Sequence, residues 1–345
     1  MRILVDAMGG DNAPQAAALG AIQAAEELHL DVTLIGRGEE ILRCLKEQGV
    51  ETLPAGVEIR GAEDVVDMHD DPATVIRKRK DSSMVVGLQM LKEGAGDAFV
   101  SAGSTGALLS AATLIVKRVK GIRRAAMGPV VPTTGKGTVL IDCGATADCT
   151  AEFLLQFGYM GAFYAETMLG IENPRVGLLN IGTEDSKGGE LQKAAYALLQ
   201  KAGEDGSLNF IGNIEARDVP LGGADVVVAD GFSGNVLLKG IEGTALFMSG
   251  MMKDLFKKNL LTKLAAVFCM GGIKAFKKKM DYRETGGTAF IGLTKPVIKA
   301  HGSSDALAVR NAIRQAVDAV NANLAEEIAA CISRMQMPKE TEDAN

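Results

Sequence analysis

Four short apolar runs each end in a carboxylate or amide side chain that is followed closely by glycine. The pairs are Asp6 before Gly9 and Gly10, Asp142 before Gly144, Asn180 before Gly182, and Asp230 before Gly231. Glycine lets backbone N–H groups approach an anion closely, and the N-terminus of a following helix adds positive potential. Four such loops along one sheet would therefore form an anion-binding crevice, suited to phosphate or another oxyanion.

Residues 224–239 concentrate these features in one stretch. The valines at 226–228 form a run without polar alternation, which is typical of a strand covered on both faces. Asp230, Ser233 and Asn235 follow, at the carboxyl end of that strand, where open α/β sheets bind their ligands. The competing interpretation is that Asp-Gly and Ser-Gly only form a turn and cap a helix.

No covalent nucleophile is evident in this stretch. Ser233 lies in Gly-Phe-Ser-Gly, and its second glycine follows the serine directly, unlike the Gly-x-Ser-x-Gly spacing of a nucleophile elbow. The nicotinamide-binding pattern Gly-x-Gly-x-x-Gly is missing, and Lys136, between two glycines, lacks the remaining residues of a P-loop. The spacing therefore disfavours hydrolase, dehydrogenase and nucleotide-binding sites.

Lys187 and His301 are two further candidates for chemistry. Lys187 lies beyond a predicted strand, where it could meet a phosphate as a point charge while Gly182 and Thr183 offer backbone donors. His301 lies just before a helix capped by serines and could act as an acid or base. A solvated lysine and a capping or packing histidine are the structural alternatives.

The elements that must position these residues alternate regularly. Strands are predicted at residues 2–6, 32–35, 57–60, 98–100, 138–142, 175–180, 208–212, 225–230 and 287–293, with helices between them. This alternation predicts a three-layer α/β/α fold with a largely parallel sheet. No Pro/Ser-rich linker divides the chain, so residues 1–336 are predicted to form one domain. An inserted helical protrusion is expected near residues 250–282 and a polar tail at 337–345.

Composition excludes several classes of function. The absence of Trp and the low aromatic content argue against stacking platforms for nucleic acid. The cysteines form no Cys-x-x-Cys pair and no cluster with histidine, so we expect reduced thiols, no metal site and no cofactor; they are Cys44, Cys143, Cys149, Cys269 and Cys331. The first residues show no secretory-signal pattern, which favours a cytoplasmic location.

Motifs along nearly the whole chain resemble those of the bacterial acyl-acyl carrier protein:phosphate acyltransferases, the PlsX family. The matching stretches are Asp6-Ala-Met-Gly-Gly-Asp-Asn-Ala-Pro14, Ser101-Ala-Gly-Ser-Thr-Gly-Ala-Leu-Leu109, Leu178-Leu-Asn-Ile-Gly-Thr-Glu184 with Lys187-Gly188, Asp225-Val-Val-Val-Ala-Asp-Gly-Phe-Ser-Gly-Asn235, Glu284-Thr-Gly-Gly287 and His301-Gly-Ser-Ser304. One position departs from the family pattern, because Thr146 stands where Asn is expected and so lacks the amide.

The resemblance implies transfer of a long-chain acyl group from acyl carrier protein to inorganic phosphate, which yields acyl phosphate for phospholipid synthesis. It also implies an isocitrate/isopropylmalate-dehydrogenase-like fold, a homodimer and peripheral association with the inner face of the cell membrane. A membrane acylphosphate:glycerol-3-phosphate acyltransferase would use the product. The alternatives are a phosphotransacetylase-like enzyme that uses acyl-coenzyme A and a non-catalytic membrane scaffold.

Site roles follow as hypotheses. Lys187 and the glycine loops would hold phosphate, Asn235 and Ser233 the carbonyl oxygen, and His301 would be acid, base or orienting residue. Asp230, itself an anion, would orient its neighbours. The residues predicted to bind substrate or phosphate are Asp6, Gly9, Gly10, Ser104, Thr105, Asn180, Gly182, Thr183, Asp230 and Ser233.

The segment 251–280 carries eight lysines and one acidic residue in a chain whose net charge is −6. Its apolar residues fall on helical faces with lysines to the sides, and breaks are predicted at Asn259 and at Gly271-Gly272. The segment could lie on an anionic membrane, dock the acidic carrier protein or pack at a dimer interface. The candidate contacts are Leu255, Leu260, Leu261, Leu264, Phe268, Lys257, Lys258 and Lys263.

Overall fold

The computed structural model describes residues 1–67, 69–331 and 335, so the predicted polar tail at 337–345 lies outside the described residues. The strands are β1 (Arg2–Asp6), β2 (Asp31–Gly36), β3 (Val57–Gly61), β4 (Ala98–Ser101), β5 (Ala126–Met127), β6 (Val130–Val131), β7 (Thr138–Ile141), β8 (Val176–Asn180), β9 (Phe210–Glu215), β10 (Val226–Val228), β11 (Gly287–Ile291) and β12 (Val297–Ala300).

The helices alternate with these strands, as predicted. They are α1 (Gln15–Leu28), α2 (Gly38–Glu47), α3 (Val75–Lys78), α4 (Ser83–Glu93), α5 (Thr105–Ile115), α6 (Ala151–Leu169), α7 (Glu190–Glu204), α8 (Gly231–Lys257), α9 (Leu260–Phe268), α10 (Met270–Met280), α11 (Tyr282–Thr285), α12 (Ala306–Asn321) and α13 (Leu324–Cys331), with a short 3-10 turn at Ala216–Asp218. The α3 helix is a single turn of four residues.

The predicted α/β class with largely parallel strands is confirmed, but the strands are divided between two sheets. The larger sheet has the order β3-β2-β1-β4-β12-β11-β5, and the smaller has the order β6-β7-β10-β8-β9. Only β11 and the two-residue strands β5 and β6 pair antiparallel within the described sheets. Asp6 therefore ends a strand of the larger sheet. Asn180 ends a strand of the smaller sheet, and Asp142 and Asp230 follow strands of that sheet.

The division occurs at β5 and β6, which the sequence pattern does not reveal. β5 pairs with β11 at the edge of the larger sheet, and β6 pairs with β7 at the edge of the smaller one. Gly128 and Pro129 connect them, and proline has no N–H to continue a ladder. The chain thus passes from one sheet to the other within a few residues.

The α6 helix packs closely on the smaller sheet and fixes its position. This helix is buried along most of its length, including Tyr159 and Tyr164. A Cβ at Gly161 would lie 2.5 Å from Val226 Cγ1 and 3.0 Å from Ile141 Cγ2, so only glycine allows this approach to β7 and β10. The carboxyl ends of those strands, with their polar residues, are fixed as a result.

β12 is a central strand that was not predicted from the sequence. It lies between β4, to which it is parallel, and β11, to which it is antiparallel. Its sequence Val-Ile-Lys-Ala follows Pro296, and the lysine interrupts an apolar run that is otherwise typical of a buried strand. Lys299 is nevertheless only 8% exposed.

The basic segment forms the end of α8, all of α9 and all of α10. The predicted break at Asn259 is confirmed: Asn259 caps α9 and its Oδ1 accepts a bond from Thr262 N at 2.9 Å. The break predicted at Gly271-Gly272 is wrong, because both glycines lie inside α10 and the interruption falls two residues before Gly271, at Cys269. In the described part of the chain, no helix has the length and apolarity needed to cross a membrane.

Candidate active site

A cleft of about 500 Å³ lies between the two sheets, beyond the carboxyl ends of their parallel strands. The larger sheet contributes the β4–α5 loop and the loop after β12, while the smaller sheet contributes the β7–α6 loop and the first turns of α8. This is the position at which open α/β sheets bind ligands. Its polar lining includes Asp11, Thr105, Asn235, Lys239, Glu242, Thr288, Lys299, His301 and Ser303.

Asp142 builds the wall contributed by the smaller sheet. Its carboxylate is fully buried and accepts backbone N–H bonds from Met127, Cys143, Ala145 and Thr146 at 2.7–3.2 Å. Burial raises the pKa of Asp142, and the four N–H bonds oppose that rise. Asp142 is therefore a structural acid that shapes the loop.

The start of α8 packs tightly against that loop. A Cβ at Gly234 would overlap the carbonyl oxygen of Asp142, and one at Gly231 would lie 2.5 Å from the carbonyl oxygen of Thr146. Both positions therefore require glycine. The Thr146 backbone also accepts a bond from Gly231 N at 2.8 Å, so it is the main chain of Thr146 that holds this junction.

Asp230 and Ser233 form the cap of α8. Asp230 accepts bonds from Ser233 N and Ser233 Oγ, both at 2.8 Å. The serine hydroxyl is thus directed to its own cap and away from the cleft. Asn235 lies farther along the helix and lines the cleft, and no described residue forms a hydrogen bond with its amide.

Asp6 lies beneath the opposite wall. It is 3% exposed and accepts bonds from Ser83 Oγ at 2.6 Å and Ser101 Oγ at 2.7 Å. Burial raises its pKa, and these bonds oppose the rise. Asp6 thus ties β1, α4 and β4 together under the cleft.

The β1–α1 loop packs closely on the β4–α5 loop. A Cβ at Gly9 would lie 2.7 Å from Gly103 N, and Gly10 has a φ of +97° and would bring a Cβ within 2.8 Å of Ala102 Cβ. Ser104 is buried at the start of α5, and Thr105 lines the cleft. Gly9 and Gly10 therefore support the wall that Thr105 and the α5 N-terminus present.

Lys299 contributes a buried cation that sequence reasoning missed. Its Nζ donates to Ala102 O at 3.3 Å and to Ala300 O, which joins the loops after β4 and β12. Burial lowers the pKa of Lys299 to about 8, while the nearby charge of Asp6 opposes this effect. Lys299 and His301 are two residues apart in an extended chain, and side chains with that spacing point to the same face of a strand. This spacing is the sequence signal that could have identified Lys299 from His301.

His301 lies in the same cleft, next to a second lysine. Its Nδ1 is 2.8 Å from Ser303 Oγ, and its Nε2 is 3.4 Å from Lys239 Nζ, which also pairs with Glu242 at 2.6 Å. Burial lowers the pKa of His301, and Lys239 lowers it further, so the ring is neutral near pH 7. Lys239 was also missed, although it follows Asn235 by one helical turn.

Lys187 does not line the cleft. It lies in the β8–α7 loop, is exposed, and has Nζ 3.8 Å from Glu184 Oε1. Asn180 organises this loop: its Nδ2 donates to Lys187 O at 3.2 Å and its Oδ1 accepts from Ile181 N at 2.8 Å. Gly182 and Thr183 belong to the same loop and do not line the cleft either.

A second cavity of about 850 Å³, which we call the apolar groove, runs between the β8–α7 loop and α8. Asn180 and Ser233 line it, as does Phe276 of α10. Ile241 and Ala245 of α8 line both this groove and the cleft. The two cavities therefore adjoin along one helix.

The cleft can hold an anion next to a polarised carbonyl group. Lys239 and Lys299 supply positive charge, the α5 N-terminus supplies backbone donors, and Asn235 offers an amide N–H. Cys143 also lines the cleft, but burial raises the pKa of its thiol well above the ordinary value, so it is not a thiolate. Within the described residues, no three His, Cys, Asp or Glu side chains are grouped to hold a metal ion.

Comparison with known proteins gives a consistent assignment. The sequence model of a family described as fatty acid synthesis protein matches residues 1–327. The chain is 48% identical over 327 residues to a phosphate acyltransferase of Bacillus licheniformis, with 94% of this chain and 96% of the relative covered. A phosphate acyltransferase of Bacillus cereus is 46% identical over 343 residues, covering 99% of each chain.

Solved structures share the fold at lower sequence identity. A phosphotransacetylase from Streptococcus pyogenes superposes with a TM-score of 0.61 at 20% identity, covering 94% of each chain. A 4-hydroxythreonine-4-phosphate dehydrogenase from Klebsiella pneumoniae gives 0.52 at 13% identity, covering 93% of this chain and 98% of the other. These two confirm the predicted fold, and the close relatives decide the family. The chain belongs to the phosphate acyltransferase family that its motifs resemble, and it is an acyltransferase.

Proposed function

We propose that this protein transfers a long-chain fatty acyl group from the thioester of acyl carrier protein to inorganic phosphate, forming acyl phosphate for phospholipid synthesis. The observation that carries the proposal is the cleft itself. Two lysines, a neutral histidine and an amide converge there, next to a groove that could accept an alkyl chain.

Phosphate is the nucleophile in this proposal. Lys239 and Lys299 bind it as point charges, and the backbone N–H groups at the start of α5 complete its coordination. Lys187, which the sequence suggested for phosphate binding, is exposed on another loop. We therefore assign phosphate binding to Lys239 and Lys299 instead. Holding phosphate against the carbonyl carbon can lower the barrier by roughly 7–11 kcal/mol in favourable cases.

Asn235 and His301 act on the thioester. A phosphate oxygen attacks the carbonyl carbon, and the Asn235 amide donates to the developing oxyanion, a contact worth roughly 3–4 kcal/mol. The C–S bond then breaks and the pantetheine sulfur leaves as a thiolate. His301, neutral at the start, takes the phosphate proton and passes it to the sulfur, so no proton is gained or lost overall.

The helical protrusion is proposed to bring the substrate and the membrane together. Leu260, Leu261 and Phe268 are 77–83% exposed, and the surrounding lysines are also exposed. Such a surface suits an anionic membrane, where each lysine adds about 1 kcal/mol, and it also suits the acidic carrier protein. On this proposal the enzyme is a cytoplasmic homodimer at the inner membrane face, near the acyltransferase that consumes its product.

The decisive experiment is phosphate-dependent release of free thiol from palmitoyl-acyl carrier protein. The wild type should release thiol and accumulate acyl phosphate, and Lys239→Gln should lose most of this activity while Lys187→Gln retains it. Thiol release without phosphate, or an acyl-enzyme trapped in its absence, would refute direct transfer. Parallel reactions with palmitoyl-coenzyme A and acetyl-coenzyme A test the phosphotransacetylase alternative, and absence of turnover with every donor would favour a non-catalytic scaffold.

A further inference from the structure

The apolar groove differs from the cleft in the chemistry of its walls. None of the described residues that line the groove is charged, whereas the cleft is lined by lysine, aspartate, glutamate and histidine. Its wall on α8 is a stripe of residues four apart, Val236, Gly240, Thr244 and Met248, with Leu237, Ile241 and Ala245 beside it. A site without charge and with few hydrogen-bonding groups suits an alkyl chain.

The dimensions of the groove fit a long chain. The stripe from Val236 to Met248 spans about 18 Å at about 1.5 Å rise per residue. C–C bonds of about 1.5 Å advance an extended zigzag chain by only about 1.25 Å each, so that length matches a chain of roughly fifteen carbons. The volume of about 850 Å³ lies within the usual range for ligand sites.

The groove is continuous with the candidate active site. Ile241 and Ala245 line both cavities, and α8 presents Asn235 to the cleft and Val236 to the groove. Phe276 reaches the groove from α10, and Lys279 of the same helix lines the cleft. A thioester bound at Asn235 could therefore extend its chain along α8 under Phe276.

We infer that the apolar groove holds the acyl chain of the thioester substrate, and that its α8 stripe measures chain length. The inference rests on the proposed function, since it assigns the chain of the acyl donor whose carbonyl lies in the cleft. The other candidate occupant is a second copy of this chain.

Gly240 provides a direct test. A Cβ at Gly240 meets no atom within 4 Å, so Gly240→Leu starts its side chain in open space on the wall of the groove. Gly250 is equally open but lies beyond Met248, so Gly250→Leu is the matched control. Each methylene removed from an apolar site lowers affinity about fourfold. For Gly240→Leu we expect kcat/KM for palmitoyl-acyl carrier protein to fall at least roughly tenfold, while hexanoyl-acyl carrier protein is little affected; Gly250→Leu should change neither.

Equal losses for the two chain lengths, or no loss for either, would overturn the inference. Light scattering of the same variants tests the other occupant: loss of a dimer in Gly240→Leu alone, with unchanged chain-length preference, would assign the groove to a second copy. The wild-type reaction separates this inference from the proposed function. If the wild type transfers no acyl group to phosphate, the proposed function fails, whereas an active wild type with an unchanged preference in Gly240→Leu refutes only the groove.

Discussion

Lys239 Nζ lies 3.4 Å from His301 Nε2, although the two residues come from elements of different sheets. Lys239 belongs to α8, which follows a strand of the smaller sheet, and His301 follows β12 of the larger one. The contact thus joins the two walls of the cleft. It also holds an ammonium beside an imidazole, which favours a neutral ring.

Replacing Lys239 should raise the pH at which activity is lost on acidification. Burial is the main cause that lowers the pKa of His301, and Lys239 is the next, so Lys239→Met should raise this pKa toward its ordinary value. The ring then becomes protonated at higher pH, and activity that needs the neutral ring is lost earlier on acidification. The pH dependence of kcat/KM, with an NMR titration of His301, measures the shift. An unchanged pH dependence would contradict the coupling.

Deprotonation of Lys299 should weaken phosphate binding at basic pH. Its pKa of about 8 means that the ammonium is present below pH 8 and lost above it. The KM for phosphate should therefore rise as the pH passes through 8, and Lys299→Met should have a high KM that no longer changes there. Saturation curves for phosphate from pH 7 to 9 test this. A wild-type KM that stays constant across this range would exclude Lys299 from the phosphate site.

Asn235 and Ser233 should differ in their effects on catalysis, although both lie at the start of α8. Asn235→Ala removes the proposed oxyanion donor, so kcat should fall roughly 100- to 1,000-fold with little change in the KM for phosphate. Ser233→Ala removes a hydroxyl that bonds to Asp230, so the main effect should be on stability. Steady-state kinetics and thermal unfolding of both variants separate the roles, and comparable losses of kcat would refute the assignment to Asn235.

Gly234 should be indispensable to the packing of α8. In Gly234→Ala the new methyl group would overlap the carbonyl of Asp142, which is backbone and cannot turn aside. We expect unfolding to become easier by about 1–3 kcal/mol. Gly243→Ala, in open space on the same helix, should instead stabilise by about 0.5–1 kcal/mol. Urea unfolding of the pair measures both signs.

The apolar tip of α9 should govern membrane attachment. Leu260 and Leu264 are 82% and 56% exposed, so replacing both with Glu should leave the fold unchanged. Flotation with anionic vesicles should be lost while thiol release from palmitoyl-acyl carrier protein in solution persists. Flotation that survives the change would exclude this surface as the membrane contact, and loss of activity alone would point to carrier docking.

Much of the architecture was predictable because it depends on local patterns. β1 begins and ends at the predicted residues, since its apolar run is encoded locally. Asn235 could be placed near a ligand because it follows a predicted strand, and His301 because it lies just before a predicted capped helix. The family motifs, which span most of the chain, supplied the chemistry that periodicity does not contain.

Only the tertiary structure decided which loops meet. Local patterns do not specify which strands pair, so the division into two sheets, which separates Asp6 from Asp142, was not predictable. Strand order within the smaller sheet was equally hidden: β8 lies on the far side of β10 from β7, and Lys187, which follows β8, does not line the cleft. Lys299 was missed because a lysine in a strand is usually exposed, whereas here two backbone carbonyls and the nearby Asp6 stabilise a buried ammonium. The sequence determined the elements and the family, and the long-range packing determined which of the candidate residues share a site.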